Sequence, residues 1–323
     1  MDLNRILRIL TENRRISEKA LCTELGIDGE ALHRAIEELD SMGYSIGRTM
    51  LGLRLTPPSN KADGASIRAL LRTQWAGQQI EYHKIIDSTN FRARALGQEG
   101  APHGTLVIAD MQTAGRGRMS RKWESKSGDS ILMSLLLRPK DTPPQDATGI
   151  VLIAALAMCA ACQTEGANVR IKWPNDLIAD GKKLCGMLLE MDATAERVNF
   201  AVAGIGLNVH TFPYAEDLKH ATCLDKACGH EASRARVTAN FLYEFERLYD
   251  LWCAEGIEAL LPLYREHSIT LGSRVRVIGL TETFEAQAED IRADGSLLVR
   301  RDDGTVQAVH AGDVSVRGVM DYV

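Results

Sequence analysis

The stretch Val169-Arg170-Ile171-Lys172-Trp173-Pro174-Asn175-Asp176-Leu177-Ile178-Ala179-Asp180-Gly181-Lys182-Lys183-Leu184-Cys185-Gly186-Met187-Leu188-Leu189 decides the fold class. Its first apolar run, 169–173, reads as a strand that Pro174 stops, because proline cannot donate to a ladder. A second run, 184–189, follows Asp180-Gly181, a dipeptide suited to a hairpin turn. Working outward, 106–109, 131–137 and 200–207 are further short apolar runs of strand type, while 145–162 and 237–252 read as helices. Helices mixed with hairpins predict an α+β mixed sheet, not a strictly alternating parallel one.

The two ends have different textures. Leu3, Ile6, Leu7 and Leu10 recur at helical spacing, Ser17 caps a second helix carrying Ala20, Leu21 and Leu25, and Gly26 breaks it. A third helix over 28–42 carries Leu32, Ile36 and Leu39 and ends at Gly43. Two short strand-like runs, 44–46 and 50–55, are joined at Gly47. Three helices and a hairpin predict a winged helix-turn-helix over residues 1–58. The polar breaker cluster 57–64 is the expected linker to a central domain, 66–270. In 271–323, strands over 274–278, 285–291, 297–301 and 305–310, with turns at Asp294-Gly295 and Asp303-Gly304, predict a small SH3-like β-barrel.

Composition narrows the class. The 323 residues are 45% hydrophobic and 25% charged, typical of a globular chain with a sizeable core. The net charge of −5 excludes non-specific coating of nucleic acid. Cys159 and Cys162 lie in an alanine-rich apolar run and read as small core residues, and Cys223 and Cys228 lack a partner pair at zinc spacing. The N-terminus lacks a signal-peptide profile and no apolar run reaches membrane-spanning length, so a reducing cytoplasm and no membrane are expected.

Gly115-Arg116-Gly117-Arg118-Met119-Ser120-Arg121-Lys122-Trp123 has neither strand nor helix periodicity and reads as a loop. Its glycines permit close approach to a ligand, and guanidinium groups pair well with phosphate and carboxylate oxygens. A solvated basic loop is the plainer reading of the same residues. Lys172 and Asp176 at a strand end suit a nucleotide and its magnesium ion, but an ordinary Pro-Asn-Asp turn also fits. Lys183, just before a strand, is indistinguishable from a solvated lysine. Asp87-Ser88-Thr89-Asn90 is either a helix cap or a cluster around a polar ligand head. Gly204-Ile205-Gly206-Leu207-Asn208 sets an amide after a glycine-rich strand open to close approach.

In order, these segments resemble the biotin protein ligase family. The matching motifs are Asp87-Ser88-Thr89-Asn90, Gln112-Thr113-Ala114-Gly115-Arg116-Gly117-Arg118, Arg121-Lys122-Trp123, Lys172-Trp173-Pro174-Asn175-Asp176, Lys183-Leu184-Cys185-Gly186-Met187-Leu188-Leu189-Glu190 and Gly204-Ile205-Gly206-Leu207-Asn208. With its winged helix, the chain further resembles bifunctional members that repress the biotin operon. The resemblance implies a central domain of the biotin/lipoate ligase type. It implies that biotin and ATP, with Mg2+, give biotinyl-5′-AMP, which a lysine of the biotin carboxyl carrier protein then attacks.

The resemblance also assigns roles. Ser88, Thr89, Asn90, Gln112 and Gly186 surround biotin; Arg116, Gly117 and Arg118 fold over it; Lys183 meets its carboxylate; and Arg116, Arg118 and Lys183 do the chemistry. Arg118, Arg121, Trp123, Lys172, Asn175, Asp176, Asn208 and Arg317 meet the nucleotide, with Asp176 on the metal. Biotinyl-AMP acts as corepressor and drives homodimer formation on operator DNA, which His33, Arg34, Arg48 and Arg54 contact. Two departures stand out. Ser120 replaces a glycine common in the family, and its β-carbon disfavours positive φ. The expected recognition helix opens Asp28-Gly29-Glu30, and residues 1–60 hold nine acidic against eight basic side chains. A ligase without a DNA role, a lipoate or octanoate ligase, and a repressor that senses an adenylate without catalysis are the alternatives; the Gly-Arg-Gly-Arg stretch favours biotin.

Overall fold

The structure is a computed structural model that describes residues 3–13, 15–41, 46–49, 52–55, 62–210, 220–279, 282–311 and 314–318. Helices α1 (Leu3–Glu12), α2 (Glu18–Leu25) and α3 (Gly29–Ser41) precede strands β1 (Ile46–Thr49) and β2 (Gly52–Leu55). They enclose their own core of Ile6, Leu10, Leu21, Leu32, Ile36, Leu39 and Leu53. The Ser17 hydroxyl accepts from the Ala20 N–H at 3.1 Å, and Gly26 ends α2 at φ 69°. Gly47 lies inside β1 opposite Arg54 and does not join the strands. Thr49 pairs with Gly52, whose φ of 114° and approach to the Ile16 carbonyl leave no room for a β-carbon. Gly43 and residues 57–61 of the expected linker lie outside the described residues. Asp63 then caps α4 (Gly64–Arg68).

The central segment begins with β3 (Ile80–His83), α5 (Thr89–Gln98), β4 (Leu106–Ala109), β5 (Ser130–Leu137) and α6 (Gly149–Gln163). It continues with β6 (Arg170–Lys172), β7 (Asp176–Ala179), β8 (Lys182–Ala193) and β9 (Val198–Asn208), then α7 (Leu224–Cys228), α8 (Arg234–Glu255) and α9 (Leu261–His267). The strands form a seven-stranded sheet in the order β3-β4-β5-β9-β8-β7-β6. Only β3 and β4 run parallel; the other neighbours are antiparallel. Asp180 and Gly181 both adopt positive φ, 50° and 70°, as the hairpin between β7 and β8 requires.

Helices cover both faces of one half of the sheet. Leu106, Ile108, Leu135, Leu137, Ala201 and Ala203 pack into the large core with α6 and α8. Their alternate neighbours Val107, Leu136, Phe200 and Val202 pack with Ala93 of α5. Strands buried on both faces read as continuous apolar runs, which is why β4 and β5 are so plain in the sequence. Residues Asp146–Gln163 are long and apolar enough to cross a membrane, with mean hydropathy 1.7, contrary to expectation, yet the segment is 72% buried under the sheet. All seven cysteines are free, and Cys159 and Cys162 are core residues of α6.

The C-terminal strands β10 (Arg274–Gly279), β11 (Thr283–Ile291), β12 (Leu297–Arg300), β13 (Val306–Val309) and β14 (Val314–Gly318) pair in the order β13-β12-β11-β10-β14. The fifth strand, β14, was not anticipated. This small sheet shares the large core: Val275, Val277 and Leu297 belong to the same cluster as Ile150 and Trp173.

Candidate functional site

Where α5 stops, the sheet face it covers opens, and register identifies what fills it. On that face β9 continues from Phe200 and Val202 to Gly204, Gly206 and Asn208. Gly186 of β8 pairs with Gly206, Leu188 with Gly204, and Asp176 of β7 with Gly186. Lys172 pairs with Asp176, so Lys172, Asp176, Gly186 and Gly206 form one row across four strands. The glycines are required. A β-carbon on Gly206 would lie 2.5 Å from Trp123 Cε2, and one on Gly204 would lie within van der Waals overlap of the Asn90 amide. A cavity of about 210 Å³ stands on this floor.

One end of the cavity is a hydrogen-bonding head at the start of α5. Ser88 occupies the N-cap position, yet its side chain makes no capping bond and lines the cavity. Gln112 Oε1 accepts from both the backbone N–H (2.7 Å) and the hydroxyl (2.9 Å) of Thr89. Ser134 lies 2.6 Å from Asn90 Oδ1 and 2.8 Å from the Thr89 hydroxyl, and Asn90 Nδ2 donates to Glu190 at 2.7 Å.

The glycine-arginine segment closes over the other end. It is a miniature hairpin in which Trp123 N donates to Gly115 O and Gly117 N to Arg121 O, with Arg116 bridged to Lys122. Its turn contains Met119 at φ 54° and ψ 38°. The strained left-handed residue is therefore Met119, and Ser120 is not at positive φ, which corrects the sequence-based concern about the serine backbone. Arg118 donates to Asn175 Oδ1 at 3.0 Å and to the Ala311 carbonyl of the C-terminal sheet. Burial pulls the Arg118 pKa down. Arg116 lies over the Phe91 ring, 5.2 Å from its centroid.

Lys183 owes its direction to a β-bulge. Leu177 pairs with Cys185 but Ile178 with Lys183, so β8 holds an extra residue there. Leu184 and Cys185 both enter the core, and Lys183 turns to the cavity face. Its Nζ lies 2.7 Å from Asp176 Oδ1 and 5.7 Å from the Trp123 ring centroid. Asn175 is buried and donates to the Met187 carbonyl at 2.6 Å. Trp173 N–H groups bond to Thr270 Oγ1 (2.9 Å) and, from Nε1, to Gly295 O (3.1 Å), which ties this turn to the C-terminal sheet.

Around one cavity the fold thus gathers Ser88, Thr89, Asn90, Gln112, Arg116, Gly117, Arg118, Arg121, Trp123, Lys172, Asn175, Asp176, Lys183, Gly186 and Asn208. Arg317 sits in β14 beside the lining residue Val316, and its side chain lies outside what is described. Ser134 was missed as a site residue, although it interrupts an otherwise apolar strand, while Glu190 and Gly206 stand within motifs read from the sequence without an assigned role. In the winged helix, His33, Arg34 and Arg54 are exposed. Arg48 lies 2.8 Å from His33 Nδ1 and 3.5 Å from Glu18, and His33 also meets Glu37 at 3.3 Å. Asp28 is a cap, accepting from the Ala31 N–H at 2.8 Å, which explains an acid at the start of that helix.

A glycine floor, a polar hydrogen-bonding head and a cationic lid over a mixed sheet suit a ligand that is polar at one end and anionic at the other. Residues 82–208 match the biotin/lipoate A/B protein ligase family, 270–317 the biotin protein ligase C terminal domain, and 3–44 a winged helix-turn-helix DNA-binding family. The bifunctional ligase/repressor BirA of Bacillus subtilis is 37% identical over 94% of this chain and 94% of its own length. The biotin–[acetyl-CoA-carboxylase] ligase of Mycobacterium tuberculosis is 34% identical, over 81% and 97% respectively. The biotin protein ligase from Aquifex aeolicus, solved in complex with biotin and ATP, superposes with a TM-score of 0.66 at 26% identity, covering 75% of this chain and 99% of that one. The chain belongs to the biotin protein ligase family.

Proposed function

We propose that the chain is a biotin–[biotin carboxyl carrier protein] ligase and a biotin-responsive repressor. The carrying observation is one cavity with a neutral hydrogen-bonding head at one end and Arg118 and Lys183 at the other, under a glycine-arginine hairpin. A cyclic urea suits the head formed by Ser88, Thr89, Asn90 and Gln112, and a carboxylate meeting a triphosphate suits the cationic end.

A biotin carboxylate oxygen attacks the α-phosphorus of ATP; the P–O bond to the β-phosphate breaks and pyrophosphate leaves. Lys183, Arg116 and Arg118 offset the repulsion between the two anions and stabilise charge on the α-phosphate. Trp123 and Asn208 border the adenine, and Arg121, Lys172, Asn175 and Arg317 the phosphates and ribose. Among the described residues no group of three or more His, Cys, Asp or Glu forms a metal cluster. Asp176, at the cavity wall, would hold Mg2+, an ion that proteins bind through one or two carboxylates. Bound there, magnesium would neutralise phosphate charge. In the second step a carrier lysine attacks the acyl carbon and AMP leaves.

Residues 1–58 supply operator contacts through His33, Arg34, Arg48 and Arg54, residues 66–270 the chemistry, and 271–323 support for the nucleotide turn. Biotinyl-AMP is the corepressor and promotes the homodimer. Free cysteines throughout favour the cytoplasm. Pyrophosphate–ATP exchange tests the reading: it should require biotin and fail with lipoate or octanoate. Exchange supported equally by those acids would replace biotin with a fatty acid in this account.

A further inference from the structure

Glu190 closes the segment that begins at Lys183, yet it lies outside the cavity lining and has no assigned part in the reaction. It shares the cavity face of β8 with Gly186 and Leu188 and pairs with Val202. Its carboxylate oxygen accepts from Asn90 Nδ2 at 2.7 Å. A carboxylate only accepts, so the Asn90 atom turned toward it must be the NH2 group. The amide oxygen then faces Ser134, 2.6 Å away, and the single proton of the buried Ser134 hydroxyl is drawn to it. At the far end, the Thr89 backbone N–H, which only donates, fixes the oxygen of Gln112 at 2.7 Å.

The chain Glu190–Asn90–Ser134–Thr89–Gln112 is therefore pinned at one end by a pure acceptor and at the other by a pure donor, so the Ser134 proton points to Asn90 and the single Thr89 proton has only the Ser134 and Gln112 oxygens, 2.8 and 2.9 Å away, as acceptors within the chain. The Thr89 hydroxyl gives its proton within the chain and keeps a lone pair for a ligand N–H. Gln112 keeps its NH2 for a ligand carbonyl. One acceptor beside one donor is the complement of a urea edge. Gly204 allows the arrangement, because any β-carbon there would collide with the Asn90 amide.

We infer that Glu190 is a positioning residue that sets the hydrogen-bond direction of the head pocket and thereby its selectivity for a cyclic urea. The inference rests on the biotin reading above. In Glu190→Gln, which is isosteric, the new amide both donates and accepts, so Asn90 can reverse, Ser134 turns its proton to Thr89, and that proton competes with a ligand N–H for the Thr89 oxygen.

The test is pyrophosphate–ATP exchange on the full chain, comparing wild type with Glu190→Gln for biotin, desthiobiotin and ATP. Desthiobiotin keeps the urea and lacks the sulfur ring. The expected result is a KM rise of about tenfold for biotin, the cost of misdirecting a part-buried charge-assisted bond. The rise should be equal for desthiobiotin, and the KM for ATP should stay within about twofold, a gap well below one such bond. Unchanged biotin KM, or an equal rise for ATP, overturns the positioning role. Wild-type exchange that ignores biotin overturns the functional reading instead.

Discussion

Replacing Lys183 by alanine should remove most of the adenylation rate. The ammonium group stands 2.7 Å from Asp176 Oδ1, with its side chain 29% exposed and that of Asp176 15% exposed. Two unit charges at that separation attract by about 6 kcal/mol at an effective dielectric constant of 20, before desolvation of either partner is subtracted. The reaction needs that cation where a carboxylate and an α-phosphate converge. Deleting one fixed donor aimed at developing charge costs about 10²- to 10³-fold in kcat. The alanine variant also leaves the Asp176 charge facing the incoming phosphates, so the upper part of that range is expected. Lys183→Gln retains a donor without charge and should fall between wild type and alanine. Initial rates of biotin-dependent exchange at saturating substrates provide the assay, with thermal unfolding as the check on folding. An alanine variant within about threefold of wild type would refute the reasoning, because even an ordinary hydrogen bond is worth that much.

Gly206→Ala places a β-carbon 2.5 Å from Trp123 Cε2, and the indole must leave the floor. Overpacking of this kind costs about 1–3 kcal/mol, so ATP binding should weaken about 5- to 150-fold by calorimetry while biotin affinity changes less. Met119→Gly removes the penalty of a left-handed non-glycine residue, about 1–2 kcal/mol. It should alter biotinyl-AMP release in a stopped-flow chase, whereas Ser120→Gly should alter it little. Glu18→Gln frees Arg48 from its 3.5 Å partner. In a mobility-shift assay operator affinity should rise and the salt slope steepen by about one unit; no change in either would remove Arg48 from the phosphate contacts.

The sequence was most legible where one physical rule acted alone. The β4 and β5 runs, the Asp180-Gly181 turn and the Gly26 break all follow from local pattern, and each occurs as read. Exposed or amphipathic edges were harder. β3 and β7 are four residues each and carry mixed polarity, and β14 is a five-residue strand near the chain end. Gly47 was misread because a glycine in a short strand looks like a turn. Site residues were nameable only through motif order. Lys183 faces the cavity because of a bulge whose register depends on β7, and no local pattern encodes that. Ser134 and Glu190 act through Asn90, 44 and 100 residues away in sequence, so their roles emerge only when β5, β8 and α5 come together.

The most direct test of the central claim is transfer of labelled biotin to an apo biotin carboxyl carrier domain by the purified full chain. Label should appear on one carrier lysine, only with ATP and Mg2+, and should vanish when that lysine is replaced by arginine. Carrier left unlabelled while labelled octanoate or lipoate is transferred under the same conditions would contradict it.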